Sequence, residues 1–418
     1  MTLPRLQCTG LAEVDNHNDS ETMMESSSTP ASDEILVAGG GIGGIATALA
    51  LAREGRSVRV LERAAELGEI GYGLQLGPNA YRILVELGIA DKLKEVAFYP
   101  NNLVMIDAID GKELTRIELG DAFQERYGYP YTVIHRSDLH QMLLDAARAL
   151  PGVTIETSRG VASFTQDANG VDVVCEDGSQ YRGAALIGAD GLKSRVRASI
   201  LNDGAPRVAG QVAYRGVVPI EEIEDATHAD DVVMWVGPDL HLVQYRLRGG
   251  KVMNNVAVVE NEAMRTGRAE TIGPEEMEAI FSHCIPSVQK MLGFVRKDRH
   301  WVLQDRDPTP GWSQGRATLL GDAAHPTLQY LAQGACMAME DAVVLARKVS
   351  TMPDLDAALL AYENDRYLRT GRIQLSSRFF CGFCHAGGGA RDVRNSIVTT
   401  RPKGSTFEID WVYRGIDL

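Results

Sequence analysis

Cysteine is scarce in this chain of 418 residues, with six in all. So few thiols do not make a disulfide framework, and a reducing compartment fits. No run of 18 or more apolar residues occurs, so no segment reads as a membrane-spanning helix. The N-terminus lacks the basic-then-apolar order of a signal peptide, and a cytoplasmic protein is expected. Basic charge is also short: Lys plus Arg total 42 against 56 Asp plus Glu, a net of −14. That balance argues against nucleic acid and against anionic membrane as partners, because both demand a basic surface. It leaves room for a small anionic substrate, since a local basic pocket can coexist with an acidic exterior. Proline is sparse at 16, whereas glycine reaches 42. Glycine without proline points to close backbone approaches, such as those around a phosphate, rather than to disorder. Hydrophobic residues at 44% and charged residues at 23% form an ordinary globular balance. At roughly 150 residues per domain, the length suits two to three domains or one two-lobed enzyme.

Residues 1–32 are polar and aperiodic, and the spacing predicts a disordered arm with the fold starting near Asp33. Glu34 to Ala38 reads as a buried parallel strand, Ile42 to Arg53 as a helix stopped at Gly55, and Ser57 to Leu61 as a second strand. Together they form a βαβ unit. The runs 212–220, 232–236, 241–248 and 252–260 are β-rich and joined by turn residues, the pattern of an antiparallel sheet. Helical patterns return at 275–292, 335–350 and 355–385. The simplest architecture is a discontinuous nucleotide-binding α/β domain with an inserted β-sheet lobe.

Gly39-Gly40-Gly41-Ile42-Gly43-Gly44 fits G-x-G-x-x-G, with Gly39, Gly41 and Gly44 at the glycine positions. It lies between a strand and a helix, as a dinucleotide fingerprint requires. Glu62, followed by Arg63, ends the second strand close to the spacing expected of the acid that binds a ribose hydroxyl. The bland alternatives are a glycine-rich packing turn and a surface acid. No second strand-linked fingerprint occurs. Asp190-Gly191 and Gly321-Asp322 each follow an apolar strand. A short acid there can accept hydrogen bonds from sugar hydroxyls, and its glycine permits close approach.

With these three motifs in order, the chain resembles the class A flavoprotein aromatic monooxygenases, from about residue 33 to 417. The resemblance implies an α/β fold: a Rossmann-like FAD-binding domain from 33–100, 130–205 and 296–350. It further implies an antiparallel β-sheet substrate lobe from 101–129 and 206–295, and a C-terminal helical segment and tail over 351–418. FAD would be the cofactor, with NAD(P)H (NADH favoured) and O2 as co-substrates. The glycine loop, Glu62, Arg63, Gln75, Arg136, Asp190, Asp322, Gly334 and Ala335 would contact FAD, and no metal is expected. Arg136 would neutralise flavin phosphate. The other reading of that segment is Ser137 or Asp138 capping a helix that begins near Leu139.

His241, Val243 and Tyr245 alternate onto one face of a strand, Leu242 and Gln244 onto the other. Gln329 precedes the start of a helix at Gln333-Gly334-Ala335. The HLVQY strand, the PTLQYLAQGA loop, the GEIGYGLQLGPNA stretch and the tail Glu408-Ile409-Asp410-Trp411 narrow the resemblance. It points to family members that hydroxylate 3-hydroxybenzoate para to its hydroxyl, giving gentisate through a flavin C4a-hydroperoxide, and that form homodimers. The family's catalytic His, Tyr and Gln map onto His241, Tyr245 and Gln329. Structural readings of the three as core or loop residues stay open. So do salicylate 1-hydroxylation, 6-hydroxynicotinate 3-hydroxylation and a non-hydroxylating flavin redox or regulatory protein. Cys381-Gly382-Phe383-Cys384-His385 fits the C-x-x-C-H haem pattern, but buried thiols on a helix are the default.

Overall fold

The computed structural model describes residues 33–68, 71–223, 228–402 and 405–416. The expected arm at 1–32 lies outside the described residues.

The chain opens as the βαβ unit that its apolar runs predict. Ile35–Ala38 is buried at every position, Ile42–Arg53 forms the helix, and Val58–Leu61 returns parallel to the first strand. Gly55 ends the turn at φ +81°, a left-handed conformation that suits glycine after a helix. These two strands sit within a six-stranded sheet. Its order is Ser313–Gln314, Ala317–Leu319, Ala185–Gly188, Ile35–Ala38, Val58–Leu61, Val153–Glu156. All neighbours are parallel except the Ser313–Gln314 hairpin edge. One face packs on the helices Ile42–Arg53, Arg136–Arg148 and Gly334–Thr351. The other packs on a three-stranded sheet of Val161–Asp167, Gly170–Cys175 and Gln180–Gly183. Both faces are covered, which is why these strands read as continuous apolar runs.

A seven-stranded sheet forms the second layer. Its order is His300–Asp305, Arg207–Pro219, Val252–Glu260, Leu240–Leu247, Val232–Gly237, Asn102–Asp107, Glu113–Glu118. It is antiparallel apart from the pair Val232–Gly237 and Asn102–Asp107. His300–Asp305 falls inside the segment 296–350 expected in the nucleotide domain, yet it pairs with this sheet. The helical stretch predicted at 275–292 is two helices, Pro274–Phe281 and Pro286–Leu292. Pro286 lacks an N–H and so opens the second helix instead of continuing the first.

The helix Leu355–Cys384 and the helix Gly388–Thr399 complete the described chain before the tail. Charge fixes both in place. Arg366, fully buried, pairs with Glu340 at 2.8 Å and Asp341 at 2.6 Å. Asp107, also fully buried, pairs with Arg391 at 2.8 Å and Arg394 at 2.9 Å. Buried acids and bases of this kind persist only when paired.

Candidate active site

Two cavities meet at the glycine loop. The larger, about 820 Å³, lies between the parallel sheet and the seven-stranded sheet. The smaller, about 330 Å³, lies outside the glycine loop. Gly41, Ala189 and Gly191 line both. A long ligand can therefore span the two across the loop.

The loop is built for close approach. Gly39 has φ +107°, and a Cβ there would lie 2.4 Å from the Ala189 carbonyl oxygen. At Gly44 a Cβ would lie 1.9 Å from the Gly39 oxygen. Gly41 caps the helix Ile42–Arg53 without any side-chain hydrogen bond, and the first turn holds no acid. First-turn N–H groups have no acceptor inside their own helix, so this end offers donors and partial positive charge to an anion. The helix Gly334–Thr351 presents a second such end, with no side-chain cap and no first-turn acid, and Gly334 and Ala335 line the larger cavity. An elongated anion with a diphosphate, such as a flavin dinucleotide, fits this donor set.

The sequence-predicted cofactor residues divide between the cavities. Glu62, Arg63 and Asp190 line the smaller one. The Glu62 carboxylate accepts from the N–H groups of Gly40 at 2.6 Å and Ala64 at 2.7 Å, so it also clamps the loop. Asp190 accepts from the Ser194 hydroxyl and from the Arg195 N–H at 2.8 Å. Its carboxylate is spent on the start of the helix Arg195–Ile200, and only its neighbour Gly191 reaches the larger cavity. Gln75, Arg136, Asp322, Gly334 and Ala335 line the larger cavity. Arg136 itself opens the helix Arg136–Arg148 behind an N-cap at His135 with no side-chain bond. Capping by Ser137 or Asp138 is therefore corrected. Ser137 turns to His135 at 2.7 Å, and Asp138 pairs with Arg248 at 3.0 Å.

The substrate-side trio converges on the same cavity. His241, Val243 and Tyr245 line it from one strand face. Leu242 joins the opposite core, where Gln244 accepts from Trp235 Nε1 at 3.1 Å. His241 is 1% exposed, and burial pushes its pKa well below the ordinary range. Its Nδ1 lies 2.7 Å from Nε2 of His385. Tyr245 is buried, and that burial raises its phenol pKa against the opposing pull of Arg215 and Gln75. A Cβ at Gly73 would come 2.6 Å from its hydroxyl, so the missing side chain makes room for the ring. Gln329 sits on the short turn Gln329–Leu331 and accepts from Arg215 Nη2 at 2.7 Å.

Several residues of this cavity escaped sequence reasoning. Arg215 is a cation on the cavity side of the strand Arg207–Pro219, over the rings of Tyr72 at 5.6 Å and Trp301 at 5.7 Å. Burial lowers its pKa. The signal was present: Arg215 alternates with Val212 and Tyr214, which face the other core. The tail residues Trp411, Val412 and Tyr413 also line the cavity. They are held by Arg369, which donates to the carbonyls of Trp411 at 2.9 Å and Val412 at 3.0 Å. His385 and Glu260 lie behind His241; His385 closes the C-x-x-C-H motif, which gives no hint of that placement, and no local motif marks Glu260. The C-x-x-C-H thiols are buried and free, Cys384 ending the long helix. His325 is buried against Trp312 and Asp341, at 2.6 Å from the latter, consistent with a packing role. Arg136, Arg215 and Arg401 line the larger cavity beside Asp322 and Glu408, so an acidic chain keeps local positive charge where an anion would enter.

The family described as FAD binding domain matches residues 33–374. A 3-hydroxybenzoate 6-hydroxylase of Polaromonas naphthalenivorans (strain CJ2) is 44% identical over 389 residues, covering 93% of this chain and 97% of that protein. The 3-hydroxybenzoate 6-hydroxylase 1 of Aquipseudomonas alcaligenes is 40% identical over 386 residues, covering 91% and 97%. The crystal structure of Klebsiella pneumoniae HpxO complexed with FAD and uric acid superposes with a TM-score of 0.78 at 27% identity, covering 91% of this chain and 95% of that one.

Proposed function

The chain belongs to the FAD binding domain family, and from that premise we propose that it is an FAD-dependent monooxygenase converting 3-hydroxybenzoate to gentisate. The observation that supports this most directly is the meeting of two uncapped helix ends with His241, Tyr245 and Gln329 around one cavity. FAD, when bound, supplies the redox chemistry: it passes electrons from NAD(P)H to O2 and delivers one oxygen atom to the ring. Everything else falls to the side chains.

In this reading the glycine loop and Arg136 would hold the diphosphate, and the end of the helix Gly334–Thr351 would offer partial positive charge to the flavin. Arg215 supplies a shielded positive charge for the benzoate carboxylate, with Gln329 holding its guanidinium in place. Tyr245, its phenol kept protonated by burial, donates a hydrogen bond that helps select which ring carbon is presented. His241 takes the phenolic proton. A phenol with a pKa of about 10 is mostly neutral at pH 7, and its phenolate is the far better nucleophile at the para carbon. Burial keeps His241 uncharged and ready to accept. The apolar walls, including Leu103, Val243 and Phe380, limit water, which would divert reduced oxygen to H2O2.

The division of labour along the chain stands as part of the same proposal: 33–100, 130–205 and 296–350 for FAD, and 101–129 with 206–295 for the substrate, with the strand His300–Asp305 joining the substrate sheet. So do a cytoplasmic location and a homodimer. Exposed Leu368, Leu375 and Phe379 along the long helix support the latter as a face for a second copy. The test is NADH oxidation by the FAD-loaded enzyme with a panel of hydroxybenzoates and 6-hydroxynicotinate, with product identification. Gentisate from 3-hydroxybenzoate is expected. Catechol from salicylate as the main reaction, or no aromatic that stimulates NADH oxidation, would overturn the reading.

A further inference from the structure

We propose that Glu260 and His385 are positioning residues for His241: they hold it in the tautomer whose Nε2 is bare and offset the positive charge that forms when Nε2 accepts a proton. The inference rests on His241 acting as the base described above.

Three elements bring the chain of groups together. His241 comes from the strand Leu240–Leu247, Glu260 ends the strand Val252–Glu260, and His385 follows the last turn of the helix Leu355–Cys384. His241 Nδ1 lies 2.7 Å from His385 Nε2, and His385 Nδ1 lies 3.5 Å from the Glu260 carboxylate. All three are buried, at 1%, 4% and 9% exposure. Backbone bonds hold the corner: the Asp239 N–H donates to the His385 carbonyl at 3.0 Å, and the Glu260 N–H donates to Asp239 at 2.9 Å.

The protonation pattern follows from what each end can do. The Glu260 carboxylate, 3.5 Å from Nδ1, favours the proton of His385 on that nitrogen by its negative charge. Neutral His385 then has a bare Nε2, which can only accept from His241 Nδ1–H. Neutral His241 is left with a bare Nε2, the nitrogen available on the cavity side. When the phenol is deprotonated, its O–H bond breaks, an N–H bond forms at Nε2, and the electron pair stays on oxygen. The resulting imidazolium donates toward His385, with Glu260 as the anion behind it. This is the orienting logic of a third group behind a base.

The surroundings keep that anion charged. Gln211 Nε2 donates to Glu260 at 2.7 Å and Arg265 Nη1 lies 3.0 Å from its other oxygen. Both favour the charged form of the carboxyl against the opposing effect of burial. The Tyr330 hydroxyl, its pKa raised by burial, is 3.4 Å from His385 Nε2. Cys381 completes a cluster in which its sulfur and the donors of Glu260 and His385 lie within 4.8 Å of one another. Burial pushes the Cys381 thiol up to about 11, so it stays protonated at neutral pH. Three donors also fall one short of a closed tetrahedral metal site. The cluster is therefore a relay of one hydrogen bond, His241 to His385, and one ion-pair contact, His385 to Glu260.

The test uses FAD-loaded full-length enzyme, wild type and the variants Glu260→Gln, His385→Phe and His385→Gln. One readout is the ultraviolet titration of bound 3-hydroxybenzoate, which reports the pH at which the bound phenol ionises. The other is gentisate formed per NADH, beside the substrate Kd. Glu260→Gln should move the bound-phenol titration up by about one pH unit and lower product per NADH about tenfold, with Kd changed by less than about threefold. His385→Phe should do the same, whereas His385→Gln, which keeps an acceptor near the position of Nε2, should recover to within about threefold of wild type. A wild-type titration in Glu260→Gln, equal damage from Phe and Gln at position 385, or a stoichiometric metal in the purified enzyme would each overturn the proposal. Normal hydroxylation by His241→Ala would instead sink the functional reading beneath it. A defective His241→Ala beside a normal Glu260→Gln sinks the positioning role alone.

Discussion

Replacing His241 with alanine separates the chemistry of this site from its architecture. The ring is almost wholly buried and lines the large cavity on the same strand face as Tyr245. Its removal leaves the glycine loop, Arg136 and the helix Gly334–Thr351 untouched, so FAD should still bind. On the proposed mechanism, what is lost is the acceptor for the phenolic proton. With a phenol pKa of about 10, only about one substrate molecule in 10³ is ionised at pH 7, a deficit of about 4 kcal/mol at 1.36 kcal/mol per unit. General bases are typically worth about 10²- to 10⁴-fold. The variant should therefore form gentisate about 10²- to 10³-fold more slowly at pH 7. NADH oxidation should run on as H2O2 release. The pH profile makes the argument sharp. In the variant, product formation should rise about tenfold per pH unit up to about pH 9, as the phenol ionises unaided. In the wild type it should stay flat between about pH 6.5 and 8, because burial holds the His241 pKa below that window and the ring neutral throughout it. The assay is gentisate per NADH by chromatography across that range, on enzyme with verified FAD content. A variant with wild-type coupling at pH 7, or with a flat profile, would refute the assignment.

Two further outcomes follow from the fold. Gly44→Ala would set a Cβ 1.9 Å from the Gly39 carbonyl oxygen, where only backbone can give way. It should destabilise the protein by about 1–3 kcal/mol and weaken FAD retention at least as much, measured by thermal melts and flavin absorbance after gel filtration. Asp107→Asn removes the buried partner of Arg391 and Arg394 and should destabilise the chain by about 3 kcal/mol at pH 7 in urea unfolding. The wild-type Asp107 pKa is lowered to about 2 from 3.8, with Arg391, Asn395 and the Ile109 N–H outweighing burial. A depressed acid stabilises above its unfolded pKa and loses that contribution as pH falls through the folded one. About 2 kcal/mol of the difference between wild type and variant should therefore vanish between about pH 4 and pH 2. A difference constant across that window would refute the pairing.

The sequence was most legible where function depends on consecutive residues. The run Ile35–Ala38, the six-residue glycine cluster and the helix Ile42–Arg53 are local, and each end of that helix carries its own stop signal. The same holds for His241 and Tyr245, whose shared face follows from strand alternation alone. It was least legible where a side chain is claimed by a distant one. Ser137 and Asp138 look like caps, but the helix begins at Arg136 and Arg248 takes Asp138. His300–Asp305 lies next in the chain to nucleotide-domain strands but pairs with Arg207–Pro219, because sheet neighbours need not be sequence neighbours.

The opening deficits keep their meaning at this scale. Few cysteines, no long apolar run and an excess of acid left a chain whose chemistry had to come from glycine-lined backbone and a few buried polar groups. By itself the sequence determined the nucleotide cradle, the order of the βαβ unit and the residues that share a strand face, because helix and strand periods act over a few positions. Only the tertiary structure decided what stands behind them: Arg215 against Gln329, the tail over the cavity, and Glu260 and His385 behind His241. Those contacts join positions from 114 to more than 280 residues apart. They exist because burial in a shared low-dielectric interior leaves each polar group only the partners that folding brings to it.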